Sequence, residues 1–164
     1  MPELTFRRAD PGADAEALWA ILEPVVLEGT TYPVDPDASR EQIFAYWFAA
    51  DKSVFVAERG GQLVGTYYLK PNSTGPAAHV ANAGFMVLPA ARRAGVGRAM
   101  ALDCFAQAKK AGYLAMQYNL VIATNLGAIA LWREVGMEIV GTLPEAFRLP
   151  DGRLADALVM YRKL

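Results

Sequence analysis

The sequence predicts one mixed domain, α/β or α+β, and three observations predict it. A chain of 164 residues is of single-domain length. With 54% hydrophobic and 20% charged residues it can bury a core and is not the composition of a disordered chain. The apolar spacing also switches repeatedly between period 2 and period 3.6. The resulting order is strand, helix, helix, three strands, helix, strand, helix, two strands.

Residues 4–8, "LTFRR", alternate as a short strand. Asp14 is placed to cap a helix whose apolar positions are Leu18, Ile21, Leu22 and Val25. Pro24 falls inside that pattern and should kink or end the helix, since it has no amide hydrogen to give. Residues 28–37, "EGTTYPVDPD", read as loop because two X-Pro steps disfavour helix. Ser39 and Gln42 form a capping-box pattern for a second helix through Ile43, Phe44, Trp47 and Phe48. "SVFVAER" and "QLVGTYYLK", separated by Gly60-Gly61, predict a hairpin. A loop at 71–76 leads to a strand at 79–87. Then come a helix from about Gly97 to Ala111, a strand at 113–122 and a helix over 125–135. Ala128, Leu131, Trp132 and Val135 share one stripe of that last helix. "MEIVGTL" and "LADALVMYRK" supply two closing strands. There is no repeat, low-complexity segment or linker, so one domain spans 1–164.

A net charge of −1 creates no broad cationic field for nucleic acid or an anionic membrane. No apolar run approaches the roughly 18 residues of a membrane span. The first ten residues lack the layout of a secretion signal, so the expected compartment is the cytoplasm. Cys104 has no disulfide partner within the chain, and with a lone His79 it makes no metal site, so no metal is expected. Cys104 lies in an apolar helical stretch and reads as packing. His79, after a Pro/Gly loop, is open to a structural role or to acting as a base. Trp19 and Trp47 fall on helix stripes and read as core.

"ARRAGVGRAM" (91–100) raises the chemical question. It is not a Walker loop, which needs Gly-Lys-Ser/Thr, because Arg98 and Ala99 follow Gly97. It is a poor dinucleotide fingerprint, because Met100 stands where a small residue is required. What remains is Arg92-x-x-Gly95-x-Gly97 running into a helix. Two glycines without Cβ atoms and the free amides of a helix start suit an anion such as pyrophosphate, although a plain strand-to-helix turn would have the same spacing.

The setting of that loop carries a resemblance. "VLPAARRAGVGRAM" after a strand, then a further strand, then "NLGAIALWREVGM", resembles the GCN5-related N-acetyltransferase (GNAT) superfamily over nearly the whole chain. The resemblance implies a mostly antiparallel sheet, with about four helices and one parallel pair that splays to admit thiol and amine. Here those strands would be 79–87 and 113–122. It implies acetyl-CoA as co-substrate, its pyrophosphate held by Arg92, Arg93, Ala94, Gly95, Val96, Gly97 and Arg98. It gives the backbone of Phe85, Met86 and Val87 to the pantetheine arm, and puts Asn125 and Trp132 beside the coenzyme.

Asn82 and Asn119 sit in mid-strand, where the asparagine side chain competes for backbone hydrogen bonds. Asn125 follows at a helix start, where capping alone could account for it. The trio and "EGTTYP" are similar to the yeast-type acetyltransferases that act on proline analogues such as azetidine-2-carboxylate. That resemblance implies that Asn82, Asn119 and Asn125 orient a small amine.

Two features depart from the superfamily pattern. The strand at 79–87 has no carboxylate to act as base, and Trp132 replaces a tyrosine acid; an indole gives up no proton near neutrality. Alignment of a free amine with a thioester then has to supply much of the rate. Three activities follow as expectations: acetylation of a small amino or imino acid, acetylation of a peptide or protein amine, or non-catalytic acyl-CoA binding. Nucleic acid and membrane are not expected partners, and a homodimer is left open.

Overall fold

The computed structural model describes residues 2–164. The strands are β1 (Leu4–Arg8), β2 (Ser53–Arg59), β3 (Gln62–Pro71), β4 (Val80–Val87), β5 (Ala115–Ile122), β6 (Glu138–Arg148) and β7 (Leu154–Lys163). They form one sheet in the order β1-β2-β3-β4-β5-β7-β6. Every neighbouring pair is antiparallel except β4–β5. A parallel pair needs a crossover, and helix α3 (Val96–Lys110) provides it. The remaining helices are α1 (Ala15–Glu28), α2 (Arg40–Trp47) and α4 (Leu126–Glu134).

Alternation along the strands sends neighbouring side chains to opposite faces. Tyr68 and Met86 pack with Leu18, Ile21, Leu22 and Trp47 under α1 and α2. Tyr67 and Phe85 pack with Met100, Cys104, Tyr118 and Trp132 under α3 and α4. Trp47 is fully buried, and its Nε1 donates to Thr66 Oγ1 at 3.1 Å. Thr66 Oγ1 in turn donates to the Phe55 carbonyl at 2.8 Å, so this buried polar pair is satisfied.

Most of the predicted elements are present within a residue or two. Gly60 and Gly61 have φ of 59° and 79°, the two left-handed positions of a tight hairpin. The capping box forms as expected: Gln42 N–H donates to Ser39 Oγ at 3.2 Å and Ser39 N–H donates to Gln42 Oε1 at 2.8 Å.

Several expectations fail for physical reasons. Helix α1 does not end at Pro24 but runs to Glu28, stopped by Gly29 at φ 64°. Its buried stripe continues past the proline through Val25 and Val26, and that packing outweighs one missing amide bond. Asp14 stands at the N-cap position but makes no capping bond. Its carboxylate instead accepts two bonds from the Arg7 guanidinium, at 2.7 and 2.8 Å, which hold it below the usual carboxylate range. Trp19 is half-buried rather than core, lying against Phe44 and beneath the Arg40 guanidinium. Strand β6 extends beyond Leu143 to Arg148, because an irregularity between Leu143 and Phe147 absorbs Pro144 and the left-handed Glu145.

Candidate functional site

The parallel ladder between β4 and β5 has only two rungs, Val80–Ala115 and Ala81–Met116. Beyond them the strands part, and β5 is irregular between Tyr118 and Val121 where it pairs with β7. The gap opens into a cleft of about 1280 Å³, lined by residues from both faces of the sheet.

The glycine loop closes one end. After a 3₁₀ turn at Pro89–Ala91, Arg93 and Gly95 adopt left-handed φ of 63° and 76°. A non-glycine residue there costs roughly 1 kcal/mol, which marks a backbone held in a set shape. The first helical bond of α3 runs from Ala99 N–H to Gly95 O, so the amides of Val96, Gly97 and Arg98 precede any intrahelical partner. The two glycines do different jobs. A Cβ on Gly95 would meet nothing within 4 Å, so its need is the φ angle and an open backbone. A Cβ on Gly97 would lie 3.2 Å from Leu131 Cδ2, so this glycine also lets α4 approach α3.

Charge around the loop is partly spoken for. Arg92 pairs with Glu28 at 2.9 Å and Arg98 with Glu134 at 2.7 Å. Arg93 has no carboxylate partner among the described residues. Arg59, from the far end of β2, donates to the Ala94 carbonyl at 3.2 Å and braces the loop. The side chains of Val96 and Met86 are buried in the core, so only their backbones can serve a ligand. Flexible phosphates and a long arm fit such a groove: an open amide cradle, an uncommitted arginine and the splayed edge of β4.

That edge is not bare. Tyr32 Oη accepts from Phe85 N–H at 2.6 Å and donates to Phe85 O at 2.7 Å. Ala83 N–H is taken by Asn82 Oδ1 at 2.8 Å. The backbone assigned to the pantetheine arm is therefore capped at Phe85 by a tyrosine from the loop between α1 and α2. Trp132, 8% exposed, packs 5.0 Å from the Phe85 ring and 4.9 Å from Tyr118. Tyr118 Oη is buried with no hydrogen-bond partner among the described residues. Burial pushes the phenols of Tyr32 and Tyr118 up, so both stay protonated.

The other end of the cleft is polar. Lys70 pairs in register with Asn82, and Tyr68 with Gly84. A Cβ at Gly84 would lie 2.6 Å from Tyr68 Cε1, so the ring can sit against β4 where it does only because position 84 is glycine. Asn119 Nδ2 donates to Asn72 Oδ1 at 2.6 Å, and Asn119 Oδ1 accepts from Gln117 Nε2 at 2.9 Å. Asn82, Asn119 and Asn125 all line the cleft. Asn125 also caps α4, accepting from Ala128 N–H at 3.2 Å, so capping and lining are both its work.

Sequence reasoning missed Tyr32, Lys52, Lys70 and Tyr118, which also line the cleft. The chain offered a hint only for the loop tyrosine, through "TTYP". His79 is exposed, outside the cleft lining, with Nδ1 3.1 Å from Pro76 O. Cys104 is fully buried, and burial pushes its thiol up. Among the described residues no three His, Cys, Asp or Glu side chains gather as metal ligands would. No helix among them is long and apolar enough to cross a membrane.

The chain is 31% identical over 137 residues to N-acetyltransferase aca1 of Schizosaccharomyces pombe; the match takes in 74% of this chain and 66% of the yeast protein. A GCN5-related N-acetyltransferase from Kribbella flavida superposes with a TM-score of 0.90 at 38% identity, covering 98% of each chain. A phosphinothricin acetyltransferase from Sinorhizobium meliloti, solved in complex with acetyl-CoA, shares the fold: TM-score 0.85, 23% identity, 98% of this chain and 88% of that one. Residues 19–137 match the acetyltransferase (GNAT) family, and the chain belongs to it.

Proposed function

We propose that this protein transfers the acetyl group of acetyl-CoA to the amine of a small amino or imino acid. One observation carries the reading: the β4–β5 gap joins an amide-rich, arginine-flanked loop to an asparagine-lined end in a single cleft. Acetyl-CoA supplies an activated thioester. The open backbone at Gly95, the amides opening α3, and Arg93 hold its diphosphate. Trp132 and Phe85 wall the passage between the two ends. Asn82 and Asn119 orient the amine. No carboxylate stands on β4, so the amine arrives as the free base, and positioning does much of the work. Phe85 N–H is placed to stabilise negative charge on a carbonyl oxygen once Tyr32 yields it. Tyr118, protonated and without a partner, is the hydroxyl free to donate to a departing thiolate.

The yeast relative supports an N-acetyltransferase, and the small polar end of the cleft supports a compact acceptor. The test is thiol release from acetyl-CoA with a panel of free amino and imino acids, with product mass recorded. Release with at least one such acid, giving an acetylated product, is the expected result. Release only with peptides would move the acceptor to proteins. Binding of acetyl-CoA without turnover of any amine would make this an acyl-CoA-binding module.

A further inference from the structure

The acceptor end of the cleft holds a cation that the proposed chemistry does not yet use. Lys52, between α2 and β2, lines the cleft beside Tyr46, Tyr68, Lys70 and Asn82. Its Nζ lies 3.7 Å from the Tyr46 ring centroid and 4.2 Å from the Tyr68 centroid, and donates to the Tyr46 carbonyl. An ammonium has three hydrogens, so two remain for another partner.

The carboxylates nearby are committed elsewhere. Asp51 pairs with Lys70 at 2.9 Å, and the cleft's Glu28 and Glu134 pair with Arg92 and Arg98 at the other end. A half-buried ammonium walled by two aromatic rings and unmatched by any carboxylate is an anion site in waiting. Asn82 lines the same cleft and stands opposite Lys70 in the β3–β4 register, with its amide nitrogen uncommitted because only its oxygen is used by Ala83 N–H.

The geometry points to a carboxylate subsite: Lys52, with Asn82 beside it, grips the carboxylate of the acceptor, so the protein acts on free amino or imino acids and not on amines whose carboxylate is missing or amidated. This rests on the proposed acetyl transfer to a small amine and deepens it by naming what the acceptor must carry. Desolvation and the neighbouring Lys70 act on the same ammonium, pushing its pKa down to about 8. A bound carboxylate would offset both.

The experiment compares each accepted amino or imino acid with its carboxamide, in wild type, Lys52→Met and Lys52→Arg, by thiol release from acetyl-CoA. Wild type should prefer the acid. Lys52→Met should raise KM for the acid by about tenfold to a hundredfold, the span of one charge-assisted contact, and leave the carboxamide unchanged. Lys52→Arg should restore part of the preference, and the Kd for acetyl-CoA should be the same in all three. Equal use of acid and carboxamide by wild type would overturn the subsite, as would a Lys52→Met that weakens both alike. Should Lys52→Met fail to fold, the wild-type comparison and Lys52→Arg still decide. Acetyl-CoA binding with no amine turned over at all would overturn the proposed function instead, a distinct outcome.

Discussion

The two ends of the cleft are built in opposite ways. The donor end comes from one continuous run, Phe85 to Arg98, closed by α4. The acceptor end is assembled from the loop after α1, the turn before β2, and three strands, bringing together Tyr32, Lys52, Lys70, Asn82 and Asn119. A site made of backbone can be written locally, because glycines and a helix start fix amide positions within a few residues. A site made of side chains depends on tertiary contacts such as Tyr32 to Phe85, across 53 positions of sequence. On the proposed function, the first would recognise what is common to every turnover, and the second would set which amine is chosen.

Trp132 stands where the ends meet, and its removal should have the largest effect. Trp132→Ala should cost about 3–5 kcal/mol of stability, measured by denaturant unfolding, since the ring is buried against Phe85 and Tyr118. Trp132→Phe should be mild; a stably folded Trp132→Phe without turnover would mean the indole does more than pack. Trp132→Tyr sharpens this point. A tenfold gain in kcat would show that Tyr118 and water leave the departing thiolate short of an acid.

Next in size, Asn119→Ala should lower kcat/KM for the amine by about 1–3 kcal/mol while the acetyl-CoA Kd holds steady. Its bonds to Asn72 and Gln117 tie it to the acceptor face, so a changed donor affinity would blur the division between the ends. Arg93→Ala should do the reverse, weakening acetyl-CoA by about 1–2 kcal/mol and sparing acceptor KM.

Tyr32→Phe is subtler. With the hydroxyl gone, the donor no longer competes for Phe85, and acetyl-CoA should bind tighter by about 0.5–1.5 kcal/mol, the net worth of a hydrogen bond. Weaker binding would mean that Tyr32 helps to hold the donor.

The effect spread most gradually is the one on pH. Lys52 is charged below about 8 and neutral above it, lowered by desolvation and by Lys70 against the opposing pull of Asp51. The Lys52→Arg guanidinium stays charged throughout. The ratio of kcat/KM for the free acid, wild type over Lys52→Arg, should therefore fall as pH rises through about 8. Titration of the acceptor itself cancels in that ratio. A flat ratio would remove Lys52 from acceptor binding.

The same contrast explains what was legible in the sequence. The helix starts at Ser39 and Asn125, the Gly60-Gly61 hairpin and the loop at 92–97 all follow from interactions within a few residues, and all could be read. Asn82 and Asn119 could be flagged because asparagine is out of place in a strand. Lys52 and Tyr118 could not, since a lysine before a strand and a tyrosine within one are ordinary there. Only the placement of Tyr46, Tyr68 and Trp132 against them gives them meaning. Asp14 makes no capping bond for a related reason, since the Arg7 ion pair overrides the local rule, and packing carries α1 past Pro24 to Glu28. The sequence shows only the anion-binding side of Gly97, because its closeness to Leu131 is not local.

On the proposed function, bare backbone at the glycine loop holds the donor. Calorimetric titration of acetyl-CoA into wild type and Gly95→Val tests it most directly, with a thermal melt showing that both are folded. Saturable binding by wild type and none by the variant is expected, because a branched side chain at φ 76° both strains the loop and fills the open space over its amides. A folded Gly95→Val that binds acetyl-CoA as tightly as wild type would contradict it.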